Sequence, residues 1–261
     1  MTRVFLDDGG SMNASVETQS AAGLTLPDFL GIGAQKSGTS WLHENLKPHP
    51  GVFVPEAKEV HFFDQKFEQG LNSYSQIFEP AGDRVKGEIT PAYGILPPHR
   101  IGLIHELMPR LKVIFLMRNP IERAWSQALM NLAHQPGRPA ASLSDQEIIA
   151  HFNSPASRQR GDYETILNNW LAHYDRRQVF TSFFEDISIR PRELLSDVFK
   201  FLGLSTNLDW GGFPYNQVVL RGGGMAMPPR LRRILVEIYH EPIERLGQLY
   251  NAPARRWLAA E

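Results

Sequence analysis

Short apolar runs that alternate with helical stripes predict an α/β fold in three layers, with a central parallel sheet flanked by helices. Three observations carry this expectation. Runs such as Lys112–Met117 (KVIFLM) are apolar throughout, as in strands buried on both faces. Other stretches repeat at helical spacing: Tyr163, Ile166, Leu167, Trp170, Leu171 and Tyr174 fall at i, i+3, i+4, i+7, i+8 and i+11. No repeat and no long linker breaks the alternation, so the 261 residues, 42% hydrophobic and 21% charged, read as one domain with insertions.

The elements follow in order. Residues 1–25 are polar and rich in small residues, which predicts a disordered tail; the folded domain is expected over 26–255. Leu26–Ala34 reads as the first strand and 39–47 as a helix stopped by Pro48 and Pro50. Val52–Val54, Val60–Phe63 and Val85–Thr90 are further apolar runs. Ile101, Ile104 and Leu107 mark a helix before the KVIFLM strand. Asn119-Pro120 ends that strand and opens a helix to about residue 132. Residues 135–139 read as a Pro/Gly loop, continued by an insertion to about 160. A strand over 178–184, a helix over 191–202, a glycine-rich loop over 211–224 and a helix through Leu231, Ile234, Leu235 and Ile238 complete the chain.

The loop after the first strand, Gly31–Trp41 (GIGAQKSGTSW), is the most informative segment. Strand, small-residue loop and helix start together form a phosphate cradle, because backbone N–H groups and the helix dipole converge on the anion. The fold expectation is therefore P-loop-like. Gly33 and Gly38 keep the G-x-x-x-x-G spacing of nucleoside triphosphate sites, yet Thr39 stands where those sites place lysine. The lysine lies inside the loop, as Lys36, positioned to reach the group beyond the cradled phosphate. After KVIFLM the chain reads RNPIERAWS. Arg118 stands at the strand's carboxyl end, where a triphosphate hydrolase needs an acidic metal ligand. A guanidinium there suits a second phosphate, and Ser126 offers a hydroxyl to the same anion.

Bulk properties exclude several classes. A net charge of −1 argues against a nonspecific nucleic-acid binder. With no cysteine, disulfides, thiolate zinc sites and cysteine nucleophiles are ruled out, and a cytoplasmic location is the expectation. No apolar run approaches the ~20 residues of a membrane span. The histidines outside the motifs show no metal-ligand spacing.

Four motifs, QKSGTSW, KEVHFFD (58–64), GEITPAY (87–93) and RNPIERAWS (118–126), together resemble the PAPS-dependent sulfotransferases, where PAPS is 3′-phosphoadenosine 5′-phosphosulfate. KEVHFFD followed by TPAY is most similar to the heparan-sulfate and bacterial glycan branch. The resemblance covers about residues 28–250. It implies sulfuryl transfer from PAPS, leaving adenosine 3′,5′-bisphosphate (PAP), with no metal needed. Ser37, Gly38, Thr39 and Ser40 would cradle the 5′ end, and Trp41 would stack on adenine. Arg118 and Ser126 would bind the 3′-phosphate. Lys36 would touch the bridging oxygen as charge builds on it.

In an extended segment Glu59 and His61 would face one side. By the same resemblance Glu59 is the general base and His61 its helper, with the roles open to exchange. Glu88 and Tyr93 are candidate acceptor contacts, Glu88 alternatively orienting Lys36 or serving as a buried, hydrogen-bonded carboxylate. Arg221, Gly222 and Gly223 would close over the 3′-phosphate. Tyr163 is a candidate nucleotide contact whose place on the apolar stripe also suits core packing. Glycan enzymes commonly carry lysine before TPAY. Ile89 in that position favours a neutral sugar or small hydroxylated acceptor over a polyanion. Phe67, Tyr74 and Phe78 fall in segments expected to line the acceptor pocket. The acceptor itself, a glycan or a small molecule, and the oligomeric state are open. Two other classes fit parts of the pattern: a P-loop kinase or ATPase, and a non-catalytic nucleotide-binding protein.

Overall fold

The computed structural model describes residues 23–133, 140–219, 225–250 and 253–258. Five parallel strands, β1 (Phe29–Gly33), β2 (Val52–Phe53), β3 (Val85–Ile89), β4 (Lys112–Met117) and β5 (Val179–Phe183), form one sheet in the order β2-β3-β1-β4-β5. The chain passes from β1 to one side of the sheet for β2 and β3, then crosses to the other side for β4. The loops after β1 and β4 therefore adjoin at the carboxyl ends of the central strands, where α/β sheets open a crevice.

Strand side chains alternate between two cores. Phe29, Ile89, Ile114 and Leu116 pack with Trp41, Leu42 and Leu46 of α1 (Thr39–Leu46) and with a later helix through Leu194, Val198 and Phe199. Leu30, Ile32, Val113, Phe115 and Met117 face the opposite layer. That layer holds α2 (Leu71–Gln76), α3 (Pro98–Leu107), α4 (Pro120–Leu132), α5 (Asp145–Asn153), α6 (Pro155–Gly161) and α7 (Tyr163–Leu171). After β5 come α8 (Asp186–Ile189), α9 (Pro191–Leu202), α10 (Pro229–Leu249) and α11 (Pro253–Arg256). The helix containing Leu194 is thus α9, and α10 joins the Leu30 side.

The three-layer expectation holds, with local corrections. Residues 145–161 form two helices, where an insertion was expected. Their starts are capped in sequence: Ser144 and Glu147 make a reciprocal capping box, and Ser154 caps α6. Val54 falls outside β2. Residues 59–63 are not extended, because Glu59 and His61 adopt φ of 67° and 58° and Phe62–Lys66 form a wide helical turn. Tyr74 and Phe78, expected near an acceptor, are fully buried, with Tyr74 stacked on Phe62 at 4.3 Å. Ile89 is also fully buried, in the α1–α9 core, and does not line the crevice. The inference of a neutral acceptor from Ile89 therefore loses its footing.

The sheet is tight where β1 meets β3. Gly87 is the register partner of Phe29, and a Cβ on it would lie 2.5 Å from the Phe29 ring and carbonyl oxygen. We expect Gly87→Ala to destabilise the fold by about 1–3 kcal/mol. Chemical denaturation measures this; a wild-type midpoint would contradict the β1–β3 packing.

Candidate active site

The crevice is a cleft of about 670 Å³. Its floor is the β1–α1 loop. Gly38 has φ 83°, which glycine adopts without strain, and a Cβ there would have to displace the end of the Ile187 side chain, 2.2 Å away. No side chain caps the start of α1. Its first N–H groups are therefore available to an anion, with the helix dipole behind them. Gly38, Thr39, Ser40 and Trp41 line the cleft. Ser37 does not: it is fully buried and its N–H donates to the Ala34 carbonyl. Trp41 is nearly buried, and its Nε1 donates to the Tyr215 carbonyl at 2.9 Å.

Arg118 and Ser126 line the same cleft from the β4–α4 side. The sequence explains the placement: Asn119 caps α4 by accepting from the Ile121 N–H, and Pro120 fills its first turn, so the strand must end at Arg118. Arg118 lies 4.6 Å over the Phe184 ring and donates to the Lys36 carbonyl at 2.9 Å. That bond holds the turn at Lys36, whose φ is 72°. Lys36 Nζ enters the cleft, 3.8 Å from Met130 Sδ. Burial, then Arg118 and Lys58, pull the Lys36 ammonium below its ordinary pKa. Three cations, Lys36, Lys58 and Arg118, share this cleft with Glu59 as its acidic residue.

Glu59, His61 and Asp64 form a chain of contacts. Glu59 Oε1 accepts from Lys58 Nζ at 2.5 Å, and Glu59 Oε2 lies 3.2 Å from His61 Nε2. His61 Nδ1 lies 2.9 Å from Asp64 Oδ2. An imidazole between two carboxylates is fixed in orientation. Glu59 lines the cleft and His61 stands behind it. Sequence reasoning missed Asp64 as a site residue, although its i+3 spacing from His61 lies within KEVHFFD. It likewise passed over Lys58 in the same motif.

Among the described residues, Lys36, Glu59 and His61 are the non-glycine residues with left-handed φ. Such conformations cost roughly 1–3 kcal/mol each and gather at functional sites. Here the three are the residues that the motifs single out for chemistry.

Glu88 and Tyr93 do not reach the cleft. Both are buried beneath the 59–63 segment and hold it. Glu88 Oε1 accepts from Tyr74 and Tyr93 at 2.8 Å each, and Oε2 from Thr90 Oγ1 at 2.5 Å. Burial pushes the Glu88 carboxyl up against the pull of these donors and of the Val60 N–H. Tyr93 Oη in turn accepts from the Phe62 N–H at 2.8 Å, and Thr90 Oγ1 from the His61 N–H at 3.4 Å. Tyr163 is also core: its hydroxyl donates to the Arg118 carbonyl at 2.7 Å, and burial pushes its pKa up to about 12. Arg221, Gly222 and Gly223 lie outside the described residues.

A glycine turn, an uncapped helix start and facing cations at the switch point of a parallel sheet define a P-loop-like phosphate-binding protein. The family is more specific. The sulfotransferase domain model matches residues 26–215. The chain belongs to the sulfotransferase family, close to its heparan-sulfate branch. It is 30% identical over 241 residues to human heparan sulfate glucosamine 3-O-sulfotransferase 3B1, covering 87% of this chain and 61% of that protein. The chain thus spans about three-fifths of the length of the curated relatives it matches. Among solved structures, a sulfotransferase from Alicyclobacillus acidocaldarius superposes with a TM-score of 0.70 at 26% identity, covering 88% of this chain and 98% of that one. Mouse sulfotransferase SULT7A1 complexed with PAP shares the fold at a TM-score of 0.57 and 17% identity, covering 89% of this chain and 87% of that one.

Tyr93→Phe leaves the buried Phe62 N–H without its 2.8 Å partner and Glu88 short of one donor. The expected loss is about 1–3 kcal/mol of stability, with faster amide exchange at residues 61–63. Unchanged exchange there would show that the segment is held by other contacts.

Proposed function

We propose that this protein transfers the sulfuryl group of PAPS to a hydroxyl of a sugar or small-molecule acceptor. The carrying observation is that Lys36 and Glu59 line one cleft, each on a left-handed turn, between an uncapped helix start and Arg118. The N–H groups and hydroxyls at Gly38, Thr39 and Ser40 suit the 5′ end of the donor. Arg118 and Ser126 suit its 3′-phosphate, and Trp41 offers a wall to the adenine. An anion at both ends relieves the mutual repulsion of Lys36 and Arg118. The bound PAP of the mouse relative supports this donor class.

Glu59 is the base, because it faces the cleft while His61 stands behind it and, with Asp64, fixes its orientation. Glu59 takes the acceptor's proton as the acceptor oxygen attacks sulfur. Lys36 stabilises charge on the bridging oxygen as the S–O bond breaks, an interaction stronger in the transition state than in the ground state. The names of the relatives make a sugar hydroxyl the first acceptor class to try, with small natural products second.

Isothermal titration tests the donor. PAP is expected to bind without Mg²⁺ and ATP to bind poorly; the reverse result would favour a kinase. Incubation with ³⁵S-labelled PAPS and an acceptor library then identifies the labelled product. Lys36→Ala should retain PAP binding and lose on the order of 10²–10³ in kcat. Glu59→Gln should lose about 10²–10⁴. Full turnover in either variant would remove that residue from the mechanism.

A further inference from the structure

Glu59 is engaged at both oxygens. Its Oε1 holds the Lys58 ammonium at 2.5 Å and its Oε2 faces His61 at 3.2 Å. Each carboxylate oxygen keeps a further lone pair, yet the Lys58 ammonium on Oε1 competes with the acceptor hydroxyl for the same oxygen, and its departure opens that oxygen to the acceptor. His61 is tied at its other nitrogen to Asp64, and the turn it opens is fixed by the Gln65 and Lys66 N–H bonds to its carbonyl. Lys58 carries its charge on a flexible four-carbon stem and is the partner free to move.

Its position supplies a destination. Lys58 lines the cleft beside Glu59, and its charge repels that of Lys36. Its flexible stem lets the ammonium swing from Glu59 Oε1 toward the interval between the base and Lys36. In an in-line displacement the sulfur occupies that same interval: the acceptor oxygen lies toward Glu59 and the leaving oxygen toward Lys36. The non-bridging sulfuryl oxygens then point outward toward the cleft walls.

We propose that Lys58 is a further catalytic residue that exchanges partners, leaving Glu59 Oε1 for the non-bridging oxygens of the sulfuryl group when the donor binds. The inference rests on the PAPS reading above. The exchange frees the base only when a sulfuryl group is in place. In the step itself, the acceptor's proton passes to Glu59 Oε1 and the acceptor oxygen bonds to sulfur. The bond from sulfur to the bridging oxygen breaks, and its electron pair stays on the 5′-phosphate of PAP, facing Lys36. Nothing is oxidised or reduced.

PAPS and PAP differ by the sulfuryl group alone, so paired titrations isolate the contact. Lys58→Met keeps most of the stem and removes the charge. It is expected to weaken PAPS binding by about 10- to 100-fold, the worth of one charge-assisted hydrogen bond, and to leave PAP binding at the wild-type level. Lys58→Arg should recover most of the PAPS affinity. Equal weakening of both ligands would place Lys58 on the 5′-phosphate and overturn the proposal, as would wild-type affinity for both. Wild-type protein that binds neither ligand overturns the donor assignment itself, a result distinct from either. Melting curves of the variants verify the fold; Lys58 lies at the cleft edge, outside the hydrophobic cores.

Discussion

The chemistry of this protein depends on backbone held where side-chain-bearing residues resist going. Lys36, Glu59 and His61 each sit in the left-handed region, and hydrogen bonds from or to other elements hold the chain at Lys36 and His61. The Arg118 guanidinium clasps the Lys36 carbonyl. The Glu88 carboxyl, through Tyr93 and Thr90, clasps the amides from His61 to Phe62. Buried polar groups that are fully bonded stay put, because each broken bond leaves a desolvated group without a partner. The Lys36 turn is thus held by a group that also lines the cleft, and the His61 turn by groups that do not enter it.

Two kinds of arginine and tyrosine position follow from this. Arg118 faces both ways, toward the cleft and toward the loop, so anion binding and the Lys36 turn share one side chain. Tyr163 supports the Arg118 carbonyl from below. Tyr163, a candidate nucleotide contact that also suited core packing, is core and supports a residue that lines the cleft. The same holds for Glu88 and Tyr93, which support the 59–63 segment from beneath. Function spreads one layer deeper than the cleft wall, and that layer is where buried hydrogen bonds fix geometry.

The cleft's electrostatics fit the same division. Three cations with one carboxylate repel one another, and desolvation adds to the strain on Lys36. A site so arranged is incomplete without negative charge. The cations are kept apart by their places on three different elements, the loops after β1 and β4 and the segment before Phe62.

Much was legible in the sequence because it is local. KVIFLM is continuously apolar, so it is a buried parallel strand. Asn119-Pro120 stops it, so Arg118 stands at its end. Gly33, Gly38 and the displaced Lys36 identify a phosphate loop that differs from the nucleoside triphosphate kind. The capping box at Ser144 and Glu147 is equally local and marks α5, although an insertion was expected there. What the sequence could not decide is which side each residue faces once distant segments meet. An i, i+2 pair shares a face only in extended chain; Glu59 and His61 meet through two left-handed turns instead. Glu88 and Ile89 are neighbours in sequence, yet alternation in β3 sends one under the catalytic segment and the other into the α1–α9 core. The kinds of chemistry available were fixed by residue type and spacing. Which groups reach the cleft was fixed by packing, because burial and hydrogen-bond satisfaction depend on partners tens of residues away.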